Sequence, residues 1–242
     1  LIELFRSDLS MFDFSATGVQ SVQERSLIRN VYLWMTAGLA LTAVASFYMM
    51  SDLARLNTIM KSGTLFGLFI AEFILVFMLS GRILSMSPLT ATLCFGAYSV
   101  LNGITLSPML YLYTQASLTT TFFVTAATFG AMSLYAVTTK KNLAGMGQYL
   151  SMGLIGIIIA SVVNMFLGSS SFDYMISFAG VLLFCGLTAF DVQYILNMSR
   201  SYSGAIDETD YVRFSILGAL KLYLDFINMF IFLLRFFGRR ND

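Results

Sequence analysis

Long apolar runs constrain this chain more than any motif does. Seven follow one another: Val31–Met50, Gly63–Ser80, Leu89–Tyr113, Leu118–Val137, Tyr149–Leu167, Tyr174–Met198 and Phe214–Phe237. A helix needs about 20 mostly apolar residues to cross a hydrocarbon core, and each run is of that order. The runs and their short links take up nearly all of residues 29–242, so the sequence predicts one seven-helix transmembrane domain there, after a polar segment over 1–28. The predicted class is an all-α integral membrane protein. Composition agrees. Charged residues make up 11% of the chain, against about 25% in soluble domains, too few to clothe a soluble globule of this size.

Residues 1–28 are mixed in charge and lack the basic start, short apolar stretch and small-residue cleavage site of a signal peptide, so the first helix is expected to stay as an anchor. A net charge of +1 offers no basic surface for nucleic acid. Cys94 and Cys185 both fall in apolar runs and read as small buried hydrophobes, without disulfide or metal spacing. No cofactor is expected. Asn102, Gly103 and Pro108 interrupt the third run, which predicts a kink or an opened turn facing protein or a cavity.

Lysine and arginine in the links set the orientation. A cytoplasmic N-terminus places eight on that side: Arg6, Arg25, Arg29, Arg82, Lys140, Lys141, Arg200 and Arg213. The other side then holds five: Arg55, Lys61, Arg235, Arg239 and Arg240. A last segment that turned back within the membrane would return the three C-terminal arginines to the cytoplasm. Seven full crossings with the C-terminus outside are the preferred arrangement.

Five ionisable residues lie in or at the edge of the runs: Glu72, Arg82, Asp191, Lys221 and Asp225. A lysine or aspartate at mid-membrane costs on the order of 2.5–3.5 kcal/mol on insertion scales. Counting ~1.5 Å per residue, Asp191 and Lys221 lie ~10 Å from the cytoplasmic end, Glu72 ~12 Å and Asp225 ~16 Å. Arg82 closes its helix at that end. All five fall between the midplane and the cytoplasmic face, where they can meet. The bland alternatives are a Lys221–Asp225 pair on one helix face and an Arg82 that only snorkels to the headgroups.

Two carboxylates close together in low dielectric cannot both ionise cheaply, so they share a proton or hold a cation. Ca²⁺ suits oxygen ligands but normally takes about six to eight of them, so two carboxylates predict weak, transient binding. Tight binding would require further oxygens, for which Asn102 and Asn164 are candidates.

Three stretches carry a resemblance: "FGAMSLYAVTTKKNL", "GLTAFDVQYI" at 186–195 and "SILGALKLYLDFINMFIFLLRFFG" at 215–238. With them the chain resembles the transmembrane Bax inhibitor motif family, in particular its bacterial members, over essentially its whole length. The resemblance implies a seven-helix bundle with the last helix central and two three-helix layers around it. It further implies a pH-sensitive calcium leak, associated in eukaryotes with suppression of cell death, and a bacterial inner (plasma) membrane location. The family's proton-sharing aspartates fall on Asp191 and Asp225, its helix-two acidic residue on Glu72, and a basic residue able to latch the pair near Arg82. Lys221 departs from the small or uncharged polar residue expected there. It can pair with either aspartate and lower divalent affinity.

Other classes fit less well. The chain has no histidine, which removes Ser–His proteolysis and imidazole metal or haem sites. Intramembrane aspartyl proteases carry "YD" and "GxGD" motifs that are absent here, so no enzyme is expected. A retinal protein would need a helix-three counterion and tryptophans around the chromophore; the third run has no carboxylate and Trp34 is the sole tryptophan. The remaining alternative is a non-conducting regulator that binds another membrane protein, such as a protease or stress factor. The expected partners are therefore Ca²⁺ or other cations, the lipid bilayer and, on the alternative reading, that second membrane protein.

Overall fold

Polar caps at the ends of the apolar runs set where the helices start. The computed structural model describes the backbone of residues 2–61, 63–201 and 207–241, with side chains described from residue 26 onward in these stretches, apart from Ser201. Eight α-helices follow one another among the described residues: α1 (Ile2–Met50), α2 (Leu53–Met60), α3 (Thr64–Arg82), α4 (Pro88–Tyr111), α5 (Gln115–Thr138), α6 (Gly147–Leu167), α7 (Ser170–Ser201) and α8 (Glu208–Phe237). Of segment 1–28, residues 2–25 continue α1 as helical backbone, and their side chains, Arg6 and Arg25 included, lie outside the described residues. Seven helices are long and apolar enough to cross a membrane, one for each expected run. The chain is an all-α integral membrane bundle.

The starts are chemically specified. Ser87 accepts a hydrogen bond from the Thr90 amide and Pro88 opens α4; Thr114 accepts from the Ser117 amide to open α5. α2 is a short helix in what the sequence reading treats as a link. Asp52 caps it, accepting from the Ala54 amide at 2.8 Å, and Leu56 and Ile59 are buried.

The expected opening in α4 does not occur. The helix runs unbroken through Asn102, Gly103 and Pro108. Pro108 has no amide to offer the Ile104 carbonyl, and the Ser107 hydroxyl takes that place at 2.7 Å. Gly103 serves packing instead. A Cβ there would collide with the Thr42 carbonyl and meet the Ala45 Cβ at 2.8 Å. The bare backbone lets α1 and α4 touch, and Ser46 donates to the Gly103 carbonyl at 2.8 Å.

α8 is the core. In its most apolar window 67% of residues are buried, against 11% in α3 and 6% in α6, whose large side chains face outward as a lipid-facing surface should. α8 packs on α1, α4, α5 and α7; α4 also packs on α1 and α3, and α7 on α5 and α6. Spans one to three thus form one layer, spans four to six the other, and the last span fills the space between.

The two ends of the bundle are tied differently. At the Lys141 end, Arg213 of α8 donates to the Met86 carbonyl at 2.7 Å, Ser26 pairs with Tyr211 at 2.7 Å, and Gln193 of α7 bridges the Leu143 amide and the Lys141 carbonyl. At the Arg235 end, residues 239–241 are strapped to the α4–α5 link: the Thr114 amide donates to the Arg239 carbonyl at 3.0 Å and the Asn241 amide to Leu112 at 2.8 Å. α8 begins at one end and finishes at the other. Seven full crossings result, and the re-entrant alternative falls away.

Candidate ion site in the α7–α8 seam

α7 and α8 pack antiparallel along much of their length. Helical spacing puts Asp191 on the face of α7 that meets α8, and Lys221 and Asp225, one turn apart, on the facing side of α8. The Lys221 ammonium donates to Asp191 Oδ1 at 3.0 Å. Of the two partners open to it on sequence grounds, the structure selects Asp191, across the seam. Nζ also lies 5.1 Å from the centre of the Tyr194 ring, a cation–π contact from the next turn of α7.

Asp225 is buried more completely, at 4% exposure, and its Oδ2 has no hydrogen-bond partner. It feels the charges of both Asp191 and Lys221. With every group ionised the cluster carries two negative charges and one positive. No third carboxylate or cysteine joins it to make a metal-holding group among the described residues. An unpartnered carboxylate oxygen in hydrocarbon is costly. A proton or a mobile cation removes that cost.

Glu72 is placed elsewhere. It is buried on α3 and accepts from the Thr105 hydroxyl of α4, with Asn102 as a second neighbour. Asn102 in turn accepts from the Tyr223 hydroxyl at 3.1 Å, and Tyr223 pairs with Thr42 of α1 at 2.6 Å. This second polar network joins α1, α3, α4 and α8 on the side of α8 turned away from α7, since Tyr223 lies two residues from both Lys221 and Asp225. Arg82 is exposed at the end of α3, and no ion pair among the described residues includes it. The structure brings Asp191, Lys221 and Asp225 together and leaves Glu72 and Arg82 apart. Asn102 belongs to the Glu72 network, and Asn164 caps the end of α6 by accepting from the Ser169 amide at 3.2 Å. Neither reaches the aspartates.

A family model described as "Inhibitor of apoptosis-promoting Bax1" matches residues 24–242. The chain belongs to the Bax inhibitor family. Similar bacterial members include the inner membrane protein YbhL of Escherichia coli, 45% identical over 217 residues that cover 89% of this chain and 92% of the relative. An uncharacterised protein of Borreliella burgdorferi is 42% identical, covering 96% of this chain and all of the relative. An uncharacterised membrane protein of Streptococcus pyogenes is 38% identical over 88% of this chain and 91% of the relative. The family assignment spans all seven crossings and both partners of the Asp191–Lys221 pair.

Within this Bax inhibitor bundle, sequence reasoning passed over Tyr223. It is fully buried and spends its hydroxyl on Thr42 and Asn102. A phenol on a helix face whose other members, such as Ile216, Leu220 and Ile227, are apolar was the available signal, because a buried Tyr hydroxyl requires a partner.

Proposed function

We propose that this protein is a pH-sensitive cation leak pathway, permeable to Ca²⁺, in which Asp191 and Asp225 share a proton and set whether the seam admits a cation. The observation that carries this reading is Asp225: a carboxylate buried in the central helix, with one oxygen unpartnered, beside an aspartate already held by a lysine. A purely structural ion pair would have no use for it. Protonated, the cluster is neutral and closed to cations. Deprotonated, it carries one net negative charge and attracts them, with an affinity no better than the ~10⁻⁴–10⁻³ M of weak calcium sites. Weak binding suits conduction, which requires ions to leave as readily as they enter.

The relatives' description and the count of basic residues support placement in a bacterial inner membrane, N-terminus in the cytoplasm. The test is Ca²⁺ flux into liposomes containing only this protein, across a pH series. A flux that rises as the pair loses its proton supports the reading. No flux at any pH, with the protein folded and inserted, favours the non-conducting regulator.

A further inference from the structure

Beyond the aspartates, the α7–α8 seam carries an ordered series of side chains. On α7, Asp173, Ser177, Gly180, Phe184, Thr188 and Asp191 recur every three or four residues and form one stripe; on α8, Lys221, Asp225, Asn228, Phe232 and Arg235 form another. Three contacts fix how the stripes meet. Lys221 binds Asp191 at 3.0 Å, the Phe232 ring stacks on Phe184 at 5.8 Å, and Arg235 pairs with Asp173 at 3.7 Å.

The Phe232 ring lies flat on the backbone of Gly180, where a Cβ would come within 2.6 Å of it. Gly180 is the notch that lets the ring fill the seam. Beyond the ring, toward the Arg235 end, Ser177 is fully buried with its hydroxyl unpartnered. One turn further, Asp173 and Arg235 open on a polar cavity of about 430 Å³ that also holds Asn164, Ser169 and Ser170. Phe184 lies ~10 Å from Asp191 and ~16 Å from Asp173 along α7, close to mid-membrane.

We propose that Phe184 and Phe232 form a hydrophobic gate in the α7–α8 seam, separating the Asp191–Asp225 site from a polar vestibule at the Arg235 end, with Ser177 between the rings and that vestibule. The proposal rests on the reading that the aspartates lie on an ion path. An apolar constriction excludes water and ions without needing charge, and rotation of one ring off Gly180 would connect the vestibule side of the seam with the aspartate cluster. The buried, unpartnered Ser177 hydroxyl is the feature that packing alone leaves unexplained. It lies one turn from Asp173, where water entering from the vestibule would find its first polar partner beyond it.

Cysteine accessibility tests the gate independently of flux. In a Cys94→Ala, Cys185→Ala background, Ser177→Cys and Thr188→Cys are exposed in turn to a membrane-impermeant methanethiosulfonate in right-side-out and inverted vesicles. Both positions are buried, so labelling is expected to be slow, with Ser177→Cys reacting from the Arg235 end only and Thr188→Cys from the Lys141 end only. Adding Phe232→Ala is expected to let each react from both ends, and Phe232→Leu, which keeps more of the volume, to open them less. Reaction of Ser177→Cys from both ends with both rings intact, no reaction at either position, or sidedness unchanged by Phe232→Ala would each overturn the gate.

A flux arm separates this proposal from the one it rests on. Phe232→Ala is expected to raise Ca²⁺ flux about three- to ten-fold, the weight of one aromatic pair. Flux in the parent protein that Phe232→Ala leaves unchanged overturns the gate. Sided labelling without flux in either protein keeps the gate and overturns the leak reading.

Discussion

At 3.0 Å from Asp191, the Lys221 ammonium cancels one of two carboxylates and leaves Asp225 with the cluster's uncompensated charge. Removing the ammonium removes a charge that repels both protons and cations. Lys221→Ser is therefore expected to raise Ca²⁺ flux and to move its pH midpoint upward. A pH titration of flux checks this, and a midpoint that falls would place Lys221 outside the gating charge. The choice of Asp191 over Asp225 was not legible in the sequence. Spacing along α8 favours Asp225 equally well, and only the register between α7 and α8 decides. Glu72 shows the same limit. Counting residues from a helix end gives its level in the membrane but not the side of the bundle it faces, so groups at one depth need not be within reach.

At the scale of the helix, α4 shows how a membrane segment accommodates proline. The Ile104 carbonyl, deprived of an amide by Pro108, is satisfied by Ser107 at 2.7 Å. Ser107→Ala is expected to destabilise the bundle by about 1 kcal/mol, the upper part of the range for hydrogen bonds inside membranes. In a Pro108→Ala background the restored amide serves Ile104 and the same change should cost almost nothing. Thermal unfolding in detergent of the four proteins of this cycle reads the difference directly. An additive cycle would mean Ser107 acts elsewhere. The sequence marked Asn102, Gly103 and Pro108 as an interruption but not its repair, because the repairing hydroxyl is an ordinary serine one residue away. α2 went unseen for a related reason: eight residues are too short for hydropathy to register, and only Asp52 announced it.

For the whole molecule, hydropathy and length sufficed to find all seven crossings, since lipid leaves an apolar run of that length no other stable form. The central place of α8 followed from family resemblance and is explained by its buried small and polar residues, such as Ser215, Gly218 and Ala219. The aromatic seat on Gly180 depends on side-chain shape across a seam and left no periodic signature. Topology gives a whole-molecule expectation. Because α8 crosses fully, reporters fused after Asn142 and after Asn241 should appear on opposite faces of the membrane, with the first in the cytoplasm; the same face for both would contradict the bundle. Above all, Asp191 and Asp225 are proposed to form one titrating gate. Its most direct test is the pH profile of Ca²⁺ flux in proteoliposomes for the parent protein, Asp191→Asn and Asp225→Asn. Each single substitution is expected to abolish most of the pH dependence, because neither carboxylate can share a proton with an amide in the same way. Parent-like pH profiles in both variants would place the gate away from these two residues.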